Sequence, residues 1–298
     1  MYSVFAPLVG ALMTVMNQTN SRFSVLVGSL VATLVIHIAG LAAVSAVLLA
    51  KREEKRRERP PLYYYLGGFV GVGTVFSNNY AFAALGASLA VALALLGQTL
   101  FSIAVDATGL LGRRKYPLSL RSLPGICLAL AGVAVMVGAW RSNALAMLVA
   151  FASGALPSLS FILNSELGLK KGVFRSTRVN YLVGLATTLA LVGAIRPPMV
   201  PAARAIAEAG PLLALGGGFM GVAVVSAMNS LFPRMPAFSA AILLFCGQAL
   251  AGLVIDFAGA GAFDARKLVG TLVLLAGLAV NALLARRREG GKASSLSK

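Results

Sequence analysis

Long apolar stretches alternate with short polar ones along almost the whole chain. A bilayer core about 30 Å thick takes roughly 20 helical residues per crossing, because each residue rises about 1.5 Å and no backbone group facing lipid can stay unpaired. The stretches that fit are Val4–Asn20, Leu26–Leu49, Leu62–Leu85, Ser88–Gly112, Leu123–Trp140, Ala144–Leu163, Val179–Ile195, Pro211–Phe232, Phe238–Ala260 and Leu268–Leu284. The pattern predicts an all-α polytopic membrane protein of ten transmembrane helices. The first stretch lacks the basic leader and small-residue cleavage site of a signal peptide, so it is expected to be retained.

Composition agrees: of 298 residues, 58% are hydrophobic and 12% charged, whereas soluble domains run at about 25% charged. The 26 Lys and Arg against nine Asp and Glu give +17, but the apolar excess leaves no polar domain to present that charge to nucleic acid. The cations instead sort by loop. With a cytoplasmic N-terminus, twenty of them, among them Lys51, Arg59, Lys115, Lys170 and Arg234, fall on the cytoplasmic side. Six, namely Arg22, Arg141, Arg196, Arg204, Arg266 and Lys267, fall on the other. Such a split follows the positive-inside rule and predicts cytoplasmic N- and C-termini. Tyr63, Tyr64, Tyr65 and Trp140 suit the aromatic belts at the two interfaces. Cys127, Cys246 and the single His37 have no metal-ligand spacing, and no Walker A loop is present, so neither a metal, a cofactor nor ATP coupling is expected. The few acids are scattered, which disfavours an enzyme.

The second half repeats the first. A shift of 144 lays Gly10, Asn20, Gly28, Thr33 and Gly40 on Gly154, Asn164, Gly172, Thr177 and Gly184. A shift of 150 lays Gly67, Gly68, Phe69, Gly71 and Asn79 on Gly217, Gly218, Phe219, Gly221 and Asn229, and Gly97, Gln98, Asp106 and Gly109 on Gly247, Gln248, Asp256 and Gly259. A shift of 145 lays Arg121, Gly125 and Gly132 on Arg266, Gly270 and Gly277. The expected units are residues 1–141 and 142–288, followed by a polar cytoplasmic tail, 289–298. Five crossings per unit is an odd number, so the second copy must enter the membrane from the opposite side. Inverted-topology repeats of this kind are a common architecture of secondary transporters.

The paired Gly-Gln-x7-Asp-x-x-Gly runs at Gly97–Gly109 and Gly247–Gly259, the GGFxGV runs at Gly67–Val72 and Gly217–Val222, and an Asn in the first helix of each half carry a likeness. The chain resembles the YdcZ-type inner-membrane exporters of the drug/metabolite transporter superfamily over nearly its whole length. The resemblance implies two inverted five-helix repeats, with helices 1–4 and 6–9 around a central path and helices 5 and 10 peripheral. It also implies export of a small molecule across a bacterial inner membrane. One departure is Ser102, whose counterpart is Gly252, so no hydroxyl role is common to both copies.

Polar side chains inside the spans are the candidate machinery. Gln98, Ser102 and Asp106 stand four apart, as do Gln248, Gly252 and Asp256, so each set shares one helical stripe. By helical rise both glutamines lie within about 3 Å of the midplane, with Asp106 about 9 Å toward the cytoplasm and Asp256 about 10 Å toward the periplasm. Gln98, Gln248, Asn79, Asn229 and Ser102 are expected to bind substrate. Asp106 and Asp256 are expected to gate or couple transport, against the plainer reading that they pair with Arg113, Arg114 or Arg266 or cap helix ends. Asn20 and Asn164 read as helix-end residues, and His37, whose counterpart is Tyr181, as a packed histidine. Gly67/Gly71 and Gly217/Gly221 are GxxxG pairs suited to close helix packing. The glycines of helices 5 and 10 suit either a seam between the halves or a homodimer face, and Pro157 suits a one-sided hinge. Together these features predict a secondary transporter working by alternating access on a small neutral or cationic solute. The rival is a passive channel or lipid scramblase on the same fold.

Overall fold

A computed structural model describes the chain except residues 1, 52, 54–57, 113–114, 116–122, 138–142, 235–236, 261–264, 267, 278 and 281–298. Trp140, Arg113, Arg114, Arg121, Arg141, Lys267 and the tail 289–298 therefore lie outside the described residues. The described residues contain helices and no strand. In order these are α1 (Tyr2–Val27), α2 (Ser29–Ala50), α3 (Gly67–Leu85), α4 (Ala87–Thr108), α5 (Leu123–Val137), α6 (Ala144–Ser153), α7 (Ala155–Lys171), α8 (Val173–Ile195), α9 (Met199–Leu231), α10 (Ala237–Ala260) and α11 (Leu268–Gly277). Five helical stretches are long and apolar enough to cross a membrane: α2, α4, α6 with α7, α8 and α9.

Single glycines separate α1 from α2, α3 from α4, α6 from α7 and α7 from α8. Gly28 joins α1 to α2 with φ +83°, and Gly172 joins α7 to α8 with φ +103°. Both lie in the region open to glycine without a Cβ penalty, and both make the same bonds. Gly28 N donates to Ser24 O and Gly28 O accepts from Ala32 N; Gly172 N donates to Gly168 O and Gly172 O accepts from Ser176 N. The sequence offset of 144 thus becomes one hairpin built twice.

Helix contacts repeat with the halves exchanged. A Cβ placed on Gly10 would stand 1.8 Å from Leu244 O, and one on Gly154 would stand 1.8 Å from Ala94 O. On Gly97 it would meet Phe151 O, and on Gly247, Pro7 O. Gly68 faces Asn180 O and Gly184 N, while Gly218 faces Ile36 O and Gly40 N. Where the two glycines stand 144 residues apart their partners stand 150 apart, and where the glycines stand 150 apart the partners stand 144 apart. α1 therefore packs on α10 as α6 and α7 pack on α4, and α2 on α9 as α8 on α3. Small residues at each crossing let backbones touch, which is how apolar helices associate where no hydrophobic force separates them from lipid. Gly132 on α5 meets Gly270 O and Leu274 N on α11, so these helices use their glycines as a seam within the chain.

Three helix ends differ from the sequence pattern. α1 continues through Asn20 to Val27, α7 through Asn164 to Lys171, and α8 begins at Val173 rather than Val179. Polar residues that read as ends are buried and bonded inside the bundle: Ser21 Oγ donates to Asn79 O (2.9 Å), and Ser176 Oγ to Asn164 O (2.5 Å). A further amphipathic turn, Met199–Ala209, precedes the apolar part of α9 and is set off by a break at Gly210, φ +76°. Its Ala202 packs with Phe23, Val27 and Val31.

Candidate functional site

A cavity of about 80 Å³ lies among α1, α2, α3, α7, α8 and α9. Its lining falls largely into equivalent pairs: Met13 with Pro157, Met16 with Ser160, Ile36 with Asn180, His37 with Tyr181, Gly71 with Gly221 and Val75 with Val225. Members of the α1, α2, α7 and α8 pairs differ by 144 and those of the α3 and α9 pairs by 150. The cavity therefore sits where the two halves face each other.

Although the positions are paired, the chemistry is not. The polar lining comprises Asn17, Asn20, His37, Thr74, Asn78, Ser160, Asn180 and Tyr181, and the described lining holds no Asp, Glu, Lys or Arg. Behind Asn180 runs a directional chain of hydrogen bonds. Ser160 Oγ donates to Gly67 O (2.9 Å), Asn164 Nδ2 donates to Ser160 Oγ (3.2 Å), and the same Nδ2 donates to Asn180 Oδ1 (2.8 Å). A backbone carbonyl only accepts, so the direction of every bond, and the orientation of both amides, follows from Gly67. In the other half Asn20 stands against Gly217 as Asn164 does against Gly67, but Met16 and Ile36 replace the serine and the second asparagine.

His37 and Tyr181 meet edge to face, ring centroids 5.8 Å apart. His37 Nδ1 bonds Thr33 O at 2.8 Å, and Nε2 is wedged against Gly184, where a Cβ would stand 2.2 Å away. Tyr181 OH donates to Gly218 O (3.4 Å), and its ring fills the space beside Gly40. The pair knits α2, α8 and α9 around the cavity.

Gln98, Gln248, Asn79, Asn229, Ser102, Asp106 and Asp256 lie outside this lining, whereas the recurring Asn20, Gly71, Gly217 and Gly221 belong to it. Gln98 and Gln248 are buried in α4 and α10, with Thr14 Oγ1 donating to the Gln248 carbonyl (3.2 Å). Asn79 receives Ser21 on its backbone oxygen, and Asn229 Nδ2 donates to Thr177 Oγ1 (3.1 Å), so both tie α3 or α9 to a neighbouring helix. Ser102 is buried within α4. Asp256 Oδ1 and Oδ2 accept from the backbone nitrogens of Ala87 (3.0 Å) and Ser88 (3.1 Å). These are the first two residues of α4, whose own N-cap is Gly86 and brings no side chain. Asp256 is thus a cap supplied from another helix. Asp106, also buried, follows Val105, which packs with Phe232, Ala237 and Ala240 at the corresponding start of α10. Asn20 and Asn164 lie inside their helices rather than at the ends.

What sequence reasoning missed are Asn17, Asn78 and Asn180, along with His37 and Tyr181. The counterparts of the three asparagines are Phe161, Met228 and Ile36. A search for recurrence passes over them; the available signal was an amide on the glycine-bearing stripe of its own helix.

The family model described as "Putative inner membrane exporter, YdcZ" matches residues 1–135 and again residues 145–280. The chain belongs to this family. The exporter model thus covers the chain as two repeats, and its description, with the apolar helices, makes this a membrane protein of the drug/metabolite transporter type. A solved structure titled "Crystal structure of protein" is 22% identical, with a TM-score of 0.64 over 96% of this chain and 99% of that one, which shows a shared fold. No curated protein matches the exporter chain.

Proposed function

We propose that this exporter is a secondary transporter that moves a small molecule outward by alternating access, using the cavity between the halves as its solute site. The observation that carries this reading is the cavity itself, lined by equivalent positions of two copies whose contacts interchange. Two such copies can exchange conformations, so that one arrangement opens the site to one side and its mirror to the other. The reading takes the chain as ten crossings, five per inverted repeat, with both termini in the cytoplasm as the loop cations direct. At the proposed cytoplasmic end, Glu53 holds the start of α8. Its Oε1 and Oε2 accept from Phe174 N (3.2 Å) and Arg175 N (2.9 Å), and Lys170 pairs with Glu58 at 3.0 Å. These bonds tie the loop of the first half across the second and suit a closed inner mouth. The bilayer and a small organic solute are its partners; a passive pore or scramblase is the rival outcome.

The test uses impermeant thiol reagents on Thr74→Cys and Val225→Cys after replacing Cys127 and Cys246. Labelling from either face of oriented vesicles, with no ion conductance and no lipid flipping, is the carrier's signature. Labelling accompanied by conductance makes it a pore, and labelling from neither face removes the cavity as the pathway.

A further inference from the structure

The substrate class of this site follows from its electrostatics, on the reading that the cavity is the solute site. Nothing in the described lining would neutralise a charged solute: it holds no carboxylate, ammonium or guanidinium, and the imidazole of His37 is turned against Thr33 O and Gly184. An unpaired charge near the bilayer centre costs on the order of 2.5–3.5 kcal/mol even on the mildest scale. Apolar walls from Met13, Met16, Val75 and Phe161 would solvate a charge poorly but a hydrocarbon body well. The lining also has one amide whose orientation is settled. Asn180 Oδ1 accepts from Asn164 Nδ2, which fixes the amide and leaves its NH2 as the donor Asn180 brings to the lining.

We infer that the site takes a small uncharged solute with an apolar body and a carbonyl or similar acceptor directed at Asn180 Nδ2. Cations, which the scattered acids of the sequence allowed, are disfavoured, because Asp106 and Asp256 stand outside the lining. A volume of 80 Å³, against about 150 Å³ for a cavity that holds benzene, seats a fragment of about four heavy atoms. Acetamide, acetate and the slightly smaller ethylammonium are probes of about that size carrying no charge, a negative and a positive one.

Saturation-transfer NMR on the purified full-length exporter at neutral pH reads their binding at millimolar concentration. Acetamide is expected to give the strongest transfer, and Asn180→Leu to weaken it about fivefold, the worth of one hydrogen bond. Asn180→Asp keeps the oxygen that accepts from Asn164 and replaces the donor with a second acceptor. It is expected to move the preference to ethylammonium, which a merely misfolded variant would not do. Equal or stronger transfer to acetate or ethylammonium in the parent protein overturns the inference, as does no transfer to any probe or an unchanged preference in Asn180→Asp. Any of those results, with two-sided labelling at residues 74 and 225 intact, would leave alternating access standing and reject the uncharged substrate alone.

Discussion

Replacing Gly154 with alanine would put a Cβ 1.8 Å from Ala94 O and 2.6 Å from Gln98 N. A carbon rests against an oxygen at about 3.3 Å, so α4 and α7 must part by about 1.5 Å at the crossing. Both clashing atoms are backbone, which no rotamer change can move. A radial gap of 0.5–1 Å already forfeits about a quarter to a half of each dispersion contact, and overpacking of this kind costs about 1–3 kcal/mol. Gly154 is right-handed helical, φ −63° and ψ −30°, so alanine recovers up to about 1 kcal/mol of helix propensity. A net loss of about 1–2 kcal/mol remains, which lowers the melting temperature by about 2–3 °C for a chain of this size. Thermal unfolding of the detergent-purified protein measures it. Gly193→Ala is the control, since a Cβ there meets nothing within 4 Å. Gly10→Ala, facing Leu244 O at the same 1.8 Å, is expected to match Gly154→Ala. Melting of both within 1 °C of Gly193→Ala would show that the crossings have slack and that the reciprocal packing is not what holds the halves together.

Asp256→Ala is expected to cost about 1 kcal/mol, the usual worth of an N-cap, while Asp256→Asn leaves the pH profile of transport unchanged; a lost or displaced profile would assign Asp256 a coupling role besides the cap. Glu53→Ala, by freeing the starts of α8 at Phe174 and Arg175, should speed tryptic cleavage near Lys51 in inside-out vesicles without changing the melting of the remaining bundle, and an unchanged cleavage rate would count against the tie. Arg196 ends α8 at φ +52°, where glycine is preferred, so Arg196→Gly should gain about 0.5–1 kcal/mol in thermal unfolding; a loss would mean that its side chain holds the turn. Gly184→Ala would press on His37 and should move the methyl and ring signals of the cavity lining in NMR spectra, whereas Gly193→Ala should not.

The recurrence of the glycines at Gly10 and Gly154, Gly68 and Gly218, and Gly97 and Gly247 shows what repetition selects. Both copies of a fold need the same close crossings, so residues that perform that task return at a constant offset. A solute needs only one site, on the boundary between copies, and there each half can supply different chemistry. Asn180 against Ile36 and Ser160 against Met16 are such places. Recurring glycines such as Gly68 and Gly218 thus report on construction, while Asn180 and Ser160 line the cavity in one half only.

The sequence alone determined that apolar helices dominate the chain and that it is built as two copies, because hydrophobic length and recurring residues are local quantities read residue by residue. It could not place Asn20 or Asn164 inside their helices, since an amide beside serines looks like a terminus until a second helix covers it. Only the tertiary structure decided which polar groups face a common space. That depends on how helices 144 and 150 residues apart cross, and the depth and rotation of a crossing are set by backbone contacts at glycines such as Gly68 and Gly218, which leave no mark on the polarity pattern of either helix.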